Sequence, residues 1–548
     1  MAVTKVAEIN LDLAAVSNRE DRLGSIISWD GSASQLVALS GNQSEHRNVA
    51  APRITISKQE YAEKKGACGD CSGKGTGCNI EELKMPFNQQ TMCSHAIVTC
   101  QVGNTTDCVL IEHSPIGCSA THPRYDQGYK IGLLRRDKPY DSIKAFSTNL
   151  LENDMIFGAT DKLRQTCRDA KRRFNPKAIF ISMSCSTAII GEDLESVSLK
   201  MEEELGIPVI PLHCEGFRSK HWSTGFDISQ HGVMRQIVNK KPHTQKDLIN
   251  IIALWGTDYF TELLQPLGLR VNYLIDMASF DEMRQASEAV VSATFCHTLG
   301  SYMATALEQN YGVPQIESPQ PYGIAATDYW LRAVGKAVGK EAEAEKYIAE
   351  QHARILPQIA ELREKLKGVK GFIATGSAYA HGLISVLREL GIQVDGSVVF
   401  HHDPVYDGGH EAQNTLKYLV ENYGDVPHFT VSKTQQFQFP GLLRRVNPDF
   451  VIIRHPGLAP VAAKMGIPSL VMGDEHFPLA YDGIIRTGNI LIAILARKKF
   501  NNVLKRHVKL PYTDWWLSQE DQFILAKHPE ILDDEYVESK AKIKEAAA

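Results

Sequence analysis

The sequence predicts an α/β protein in which parallel sheets are flanked by helices, arranged in three groups along the chain. Two observations carry this. Short apolar runs rich in β-branched residues recur, each closed by glycine, proline or polar turn residues, as buried parallel strands are. Segments of helical pattern separate them, and repeated strand–helix alternation places parallel strands in a sheet with helices on its faces.

Taken in order, residues 1–60 are polar and weakly periodic and read as an extension that packs on something else. The segment 64–78, KKGACGDCSGKGTGC, holds five glycines and three cysteines. That is a loop composition, because glycine is poor inside helices and strands. Alternation begins near residue 109. KAIFISMS (177–184) is a buried strand, DLESVSLKMEEELG the helix after it, and IPVIPLHC (207–214) the next strand, which completes one βαβ unit. DLINIIALWG (247–256), VNYLID and AVVSATFC (289–296) repeat the pattern, and HTLGSYMATALEQNYG follows as a helix. Residues 340–368 form a long charged helix ending at Gly368. GFIATG (371–376) opens a third series, with strands near 393–400, 428–432, 449–454 and 468–472. The expected organisation is an N-terminal extension with a Cys/Gly-rich loop over 1–85, α/β groups over 86–245, 246–369 and 370–500, and a tail over 501–548. Trp515 and Trp516 in that tail suit docking on a partner subunit.

Composition narrows the function classes. The 548 residues include 59 Lys and Arg against 64 Asp and Glu, a formal charge of −5 that disfavours a dominant nucleic-acid role. The apolar run Ile490–Ala496 falls far short of the roughly 20 residues a membrane span needs. The N-terminus MAVTKVAEINLDLAA has no apolar signal-peptide core. The expectation is a cytoplasmic protein with neither a membrane nor a nucleic-acid partner. Of 11 cysteines, seven lie between Cys68 and Cys118. In a reducing compartment such clustering points to metal or iron–sulfur ligation rather than disulfides.

Three segments set a cysteine in a turn among small residues: QQTMCSHAIVTC (89–100), IEHSPIGCSATHPRYD (111–126) and FISMSCSTAIIGEDLESVS (180–198). Gly117 lets the backbone approach a bulky ligand, and Ser119, Ser184 and Ser186 leave room for one. Cys93, Cys118 and Cys185 are 25 and then 67 residues apart, so no local zinc knuckle forms and the fold must gather them. Cys185, Cys214 and Cys296 follow strands, where α/β sheets build their sites. Cys214 reads better as a small buried strand residue. The CGDC pair of Cys68 and Cys71, with Cys78, reads equally as metal-binding, as redox-active or as inert. SGKGTG lacks the spacing of a phosphate loop, which argues against nucleotide binding on this chain.

The segments SPIGCSATHPR, MSCSTAIIGEDLESVS, IPVIPLHCEGFRSKHWSTG, ATFCHTLGSYMATALEQNYGVP and KMGIPSLVMGDEHFPLAYDG run in order from about residue 90 to 500. On these the chain resembles the α subunit of nitrogenase component 1 and its relatives. The resemblance implies three Rossmann-like domains around a central metallocluster. It implies that Cys93, Cys118 and Cys185 hold a P-cluster-type [8Fe–7S] cluster shared with a homologous β (K-type) subunit. It implies that Cys296 binds the end iron of a carbide-centred iron–sulfur cofactor of the FeMo or FeFe type. The family places a histidine at the opposite end of that cofactor. Here the aligned residue is Leu479, the segment is shorter, and His476 is the nearest imidazole and the assigned ligand. His381, His401, His402 and His455 are the alternatives. The resemblance further implies an α2β2 assembly and an ATP-dependent [4Fe–4S] iron protein (H-type) as transient electron donor.

Departures from the family pattern set the expected chemistry. Molybdenum nitrogenase has glutamine at Trp222 and histidine at Phe226, so two aromatics replace polar groups beside the cofactor. Only Arg124 remains of a more basic stretch after Cys118. A less polar pocket suits a small thioether better than a polar intermediate that must be protonated repeatedly. Within the superfamily these features resemble nitrogenase-like methylthio-alkane reductase. The expected reaction is reductive C–S cleavage of dimethyl sulfide or 2-methylthio-ethanol, with Trp222 and Phe226 lining the substrate side and His221 supplying protons. A nitrogenase reducing N2 and a non-catalytic cofactor-assembly scaffold are the alternatives.

Overall fold

The computed structural model describes residues 28–41, 93–120, 123–218, 222–238, 243–253, 256–403, 415–432, 439–454, 456–473 and 476–513. Its strands are β1 (Ser28–Gly31), β2 (Val109–His113), β3 (Ala145–Ser147), β4 (Ile179–Met183), β5 (Val209–Leu212), β6 (Gln245–Ile252) and β7 (Arg270–Leu274), then β8 (Ala289–Thr294), β9 (Lys370–Thr375), β10 (Gln393–Val399), β11 (His428–Ser432), β12 (Phe450–Ile453) and β13 (Ser469–Val471). They form three sheets, ordered β3-β2-β4-β5, β7-β6-β8 and β1-β11-β10-β9-β12-β13. Every pairing is parallel except that of β1 with β11. This is the expected α/β class of parallel sheets flanked by helices.

The chain divides into two compact units. Of the described residues, the first holds those within 93–321 and 325–352 and the first two sheets; the second holds those within 28–41, 322–324 and 353–513 and the third sheet. The division falls inside the helix Glu341–Leu366.

In the first sheet the buried runs Val109–His113 and Ile179–Met183 lie side by side, with Ile111 opposite Ile181 and His113 opposite Met183. Both faces are covered, so these strands are apolar throughout rather than alternating. Leu163 and Cys167 of the helix Thr160–Phe174, with Leu194, Val197 and Met201 of the helix Leu194–Leu205, pack on one face. Asp193 caps the latter helix by accepting from Ser196 N at 3.1 Å, and Gly206 ends it at φ +67°. A buried arginine links the first sheet to the second. Arg136 Nε donates to Gly256 O at 2.6 Å, its Nη1 to Asp276 O at 2.6 Å, and its guanidinium lies 4.3 Å above the Tyr273 ring.

The N-terminal segment was expected to pack on another body; instead β1 extends the chain's own third sheet. Ala33 N donates to Val426 O, and Ser34 donates through both its backbone N and its hydroxyl to Asp425 at 2.8 Å. Residue 500, the expected end of the third group, lies inside the helix Lys498–His507, and Lys505 of that helix packs close to Gly466. No helix among the described residues is long and apolar enough to cross a membrane.

Candidate metallocluster sites

Because β2 and β4 are neighbours, the loops leaving their carboxyl ends are neighbours too. The first carries Cys118 in the short helix Ile116–Ser119; the second carries Cys185 at the start of the helix Cys185–Ile189. Ser184 caps that helix, accepting from Thr187 N. Cys93 precedes the helix Ser94–Gly103, and Ser94 Oγ donates to Cys214 O at 3.0 Å, which ties this helix start to the end of β5. Thus residues 25 and 67 positions apart meet at one end of one sheet.

Gly216 fixes the spacing. A β-carbon there would lie 2.8 Å from Cys93 Cβ, 3.4 Å from Cys93 Sγ and 3.8 Å from Cys185 Sγ. Both sulfurs therefore border the same small space, which any side chain at 216 would fill. Burial pushes the Cys118 thiol above its ordinary value, and Cys93, Cys185 and the Glu112 carboxylate add to this. Cys93 and Cys118 are exposed and Cys185 is half-buried. Among the described residues no three His, Cys, Asp or Glu side chains converge on a single ion. An all-sulfur set that is electrostatically coupled but not convergent fits a multinuclear cluster with further ligands supplied from outside the chain.

The rim of this site is apolar. Ile116, Ile189 and Phe217 stand beside the thiols in sequence and are 60%, 73% and 56% exposed; Ile156 and Phe157 on the adjoining helix Glu152–Phe157 are 72% and 84% exposed. Sequence reasoning passed over these residues, although an apolar residue two positions before Cys118 and four after Cys185 was visible. Cys100, Cys108, Cys167 and Cys214 are buried in packing. Cys214 is buried, its thiol donates to Met183 O at 3.4 Å, and burial raises it strongly. Burial likewise pushes the Cys167 thiol up to about 12.

Cys296 occupies a different setting. It follows β8, precedes the helix His297–Tyr311 and is buried, with its carbonyl accepting from Leu299 N and Gly300 N. His297 Nδ1 lies 2.7 Å from Thr294 Oγ1. Thr298 Oγ1 is buried with no hydrogen-bond partner among the described residues. An unsatisfied buried hydroxyl two residues from a buried thiol fits a position that takes a bound group.

The helix Thr224–Gln236 flanks this position. Gln230 Nε2 donates to Leu299 O at 2.6 Å, and its Oε1 accepts from Met303 N at 2.9 Å, so one amide clamps this helix to the Cys296 helix. Phe226 lies one turn before Gln230, is buried, and meets Trp222 edge to face with centroids 6.2 Å apart. The two predicted aromatics are therefore a pair. On the outer side of the same helix a cavity of about 310 Å3 runs along β5, where His231 Nδ1 lies 2.7 Å from Tyr302 Oη; sequence reasoning did not find it.

In the second unit His476 is half-buried, and its N–H donates to Gly473 O at 3.1 Å. The following Phe477 stacks on Tyr379 at 5.4 Å, with the Arg454 guanidinium 4.7 Å from its ring. His381, His401 and His402 are buried in that unit. His381 Nδ1 lies 2.8 Å from Thr415 Oγ1, and burial depresses its basicity strongly. Cys68, Cys71, Cys78, His221, His455, Trp515 and Trp516 lie outside the described residues.

With this geometry in hand, comparison with known proteins is informative. The sequence profile of the nitrogenase component 1 type oxidoreductase family matches residues 93–495. The chain is 31% identical over 320 residues to a nitrogenase molybdenum-iron protein alpha chain of Methanosarcina barkeri, covering 56% of this chain and 59% of that one. It is 32% identical over 301 residues to the nitrogenase iron-molybdenum cofactor biosynthesis protein NifE of a Nostoc strain, covering 53% and 60%. The chain spans about three fifths of the length of the curated relatives it matches. The solved structure of nitrogenase Cp1 at pH 6.5 superposes with a TM-score of 0.62 over 78% of this chain and 93% of that one, at 21% identity, a likeness of fold alone.

Proposed function

Since the chain belongs to the nitrogenase component 1 type oxidoreductase family, we propose that it is the catalytic α-type subunit of a reductase that cleaves the C–S bond of small methylthio-alkanes. The reaction is CH3–S–R with two electrons and two protons giving methanethiol and R–H. Dimethyl sulfide and 2-methylthio-ethanol are the substrates the pocket suits.

The observation that carries this reading is the Trp222–Phe226 pair, held one turn from the Gln230 clamp on the Cys296 helix. Two apolar rings offer a thioether sulfur contacts worth roughly 0.3–1.5 kcal/mol. In place of an amide and an imidazole they offer a phenyl ring with no hydrogen bond and an indole with a single N–H donor. Cys296 would hold a nitrogenase-type iron–sulfur cofactor, and Cys93, Cys118 and Cys185 a P-cluster-type cluster shared with a homologous β subunit. Bound iron–sulfur groups supply low-potential electrons in steps. The chain's own residues fix the thiolates, exclude water and wall the substrate. His221 is the assigned proton donor. An ATP-dependent iron protein would deliver the electrons to an α2β2 assembly.

A second reading, a cofactor-assembly scaffold, draws support from the likeness to NifE. One experiment separates the two. The complex is purified anaerobically, its metals are measured, and it is assayed with its iron protein for methanethiol and hydrocarbon from dimethyl sulfide. Substrate-dependent release of both products is expected. A metal-loaded complex that forms neither product but passes its cofactor to another protein would favour the scaffold.

A further inference from the structure

A single buried histidine sits behind both thiol-bearing loops. His113 ends β2, and its ring is fully buried. Nε2 pairs with Glu192 Oε2, and Nδ1 lies 3.1 Å from Thr148 Oγ1. A carboxylate can only accept, so Nε2 carries a proton toward Glu192.

The same residues bracket the cluster loops through the backbone. The His113 carbonyl accepts from Ser184 N and Thr187 Oγ1, both at 3.3 Å, on either side of Cys185. Thr148 Oγ1 accepts from Ser114 N at 3.1 Å, where the Cys118 loop begins, and Ser114 Oγ lies 3.0 Å from Ser119 Oγ across that loop. Glu192 uses its other oxygen, Oε1, to accept from Ala159 N. Ala159 is two residues beyond Phe157, separated from it only by Gly158 at φ +87°. One carboxylate thus touches, on one side, the hub of the Cys118 and Cys185 loops and, on the other, the backbone N–H two residues after the exposed Phe157.

We propose that Glu192 and His113 are positioning residues that couple this rim to the two thiol loops, so that a homologous subunit seated on the rim sets how Cys118 and Cys185 are held. The proposal rests on the cluster reading above. A displacement of the rim helix moves Ala159 N–H, which moves Glu192; the His113 imidazole passes the shift to Thr148 and the His113 backbone carbonyl passes it to Ser184 and Thr187. A side-chain pair that is nearly dry transmits such a shift because its hydrogen bonds have no water to fall back on.

The test is a double-mutant cycle on the anaerobically purified complex, read by the midpoint potential and electron-paramagnetic spectrum of the thiol-held cluster, with iron content and melting temperature measured alongside. Glu192→Gln keeps the size and the acceptor for Ala159. With its oxygen kept on Ala159 N, its amide meets His113 Nε2 as a donor, which leaves the ring proton on Nδ1, facing Thr148. Phe157→Ala trims the rim alone. Phe157→Ala is expected to shift the potential in the parent, and to shift it by less than half as much in the Glu192→Gln background. Equal shifts in the two backgrounds, or no shift in the parent, would overturn the coupling. If Glu192→Gln loses iron while melting and assembly are unchanged, positioning is supported. If iron and melting fall together, Glu192 only holds the fold and the proposal fails. Full iron content in Cys118→Ala would instead remove the cluster reading itself.

Discussion

At the scale of single residues, chemistry was readable and proximity was not. The flanks SPIGCS and MSCST mark Cys118 and Cys185 as turn cysteines among small neighbours. Only the pairing of β2 with β4 explains why 67 residues of separation close up. Gly216 had no signal of its own, because its closeness to Cys93 and Cys185 is a property of the folded chain. Three predictions belong here. Cys118→Ala should strip iron from the purified complex. Cys214→Ala, which removes a buried thiol already engaged with Met183 O, should leave iron unchanged and cost about 1 kcal/mol in chemical denaturation. The exchange Trp222→Gln with Phe226→His should weaken thioether turnover, seen as less methanethiol per cofactor, while cofactor iron stays. Thioether cleavage at the parent rate in that double variant would leave the substrate class without its main support.

At the scale of elements, buried strands were legible because both faces are covered and their apolar runs are continuous. β1 was not, since a short polar edge strand takes its order from its pairing with β11 rather than from its own composition. The clamps between elements also escaped the sequence. Gly225 is one: a β-carbon there would stand 2.5 Å from Ser94 O and 2.6 Å from Ile97 Cβ, so the helix Thr224–Gln236 packs backbone-close on the helix that Cys93 opens. Gly225→Ala should destabilise by about 1–3 kcal/mol, measured by denaturant midpoint, through overpacking. Gly117 is the contrast, with nothing within 4 Å of its would-be β-carbon. Gly117→Ala should leave the midpoint where it is and lower only the cluster iron, as expected if the open space beside Cys118 belongs to a ligand. Arg136→Ala should cost about 3 kcal/mol or more, because it strands the buried Asp276 carboxylate, whose Oδ2 lies 3.6 Å from the guanidinium.

At the scale of the whole molecule, the apolar rim around the thiols decides what the chain needs. Large exposed apolar patches on a soluble chain mark interaction surfaces. Here Ile116, Ile189, Phe217, Ile156 and Phe157 accompany three thiols that converge on no single ion. Under the proposed function a partner covers the rim and completes the ligand set. Interface cores favour apolar and aromatic residues over charge, so a carboxylate placed in the middle of this rim is the sharpest probe. Phe157→Glu and Ile189→Glu replace exposed side chains, and neither should lower the melting temperature of the isolated chain, since substitutions that disturb no buried contact stay within about 0.5 kcal/mol. In the presence of the β-type subunit each should shift the elution of the complex from the heterotetramer toward free chains. Each should also lower the iron held by Cys93, Cys118 and Cys185 in proportion, because a cluster with ligands on two chains is lost when the chains part. A heterotetramer that survives both charges intact, with its iron in place, would mean that the partner sits elsewhere and that the rim serves another contact.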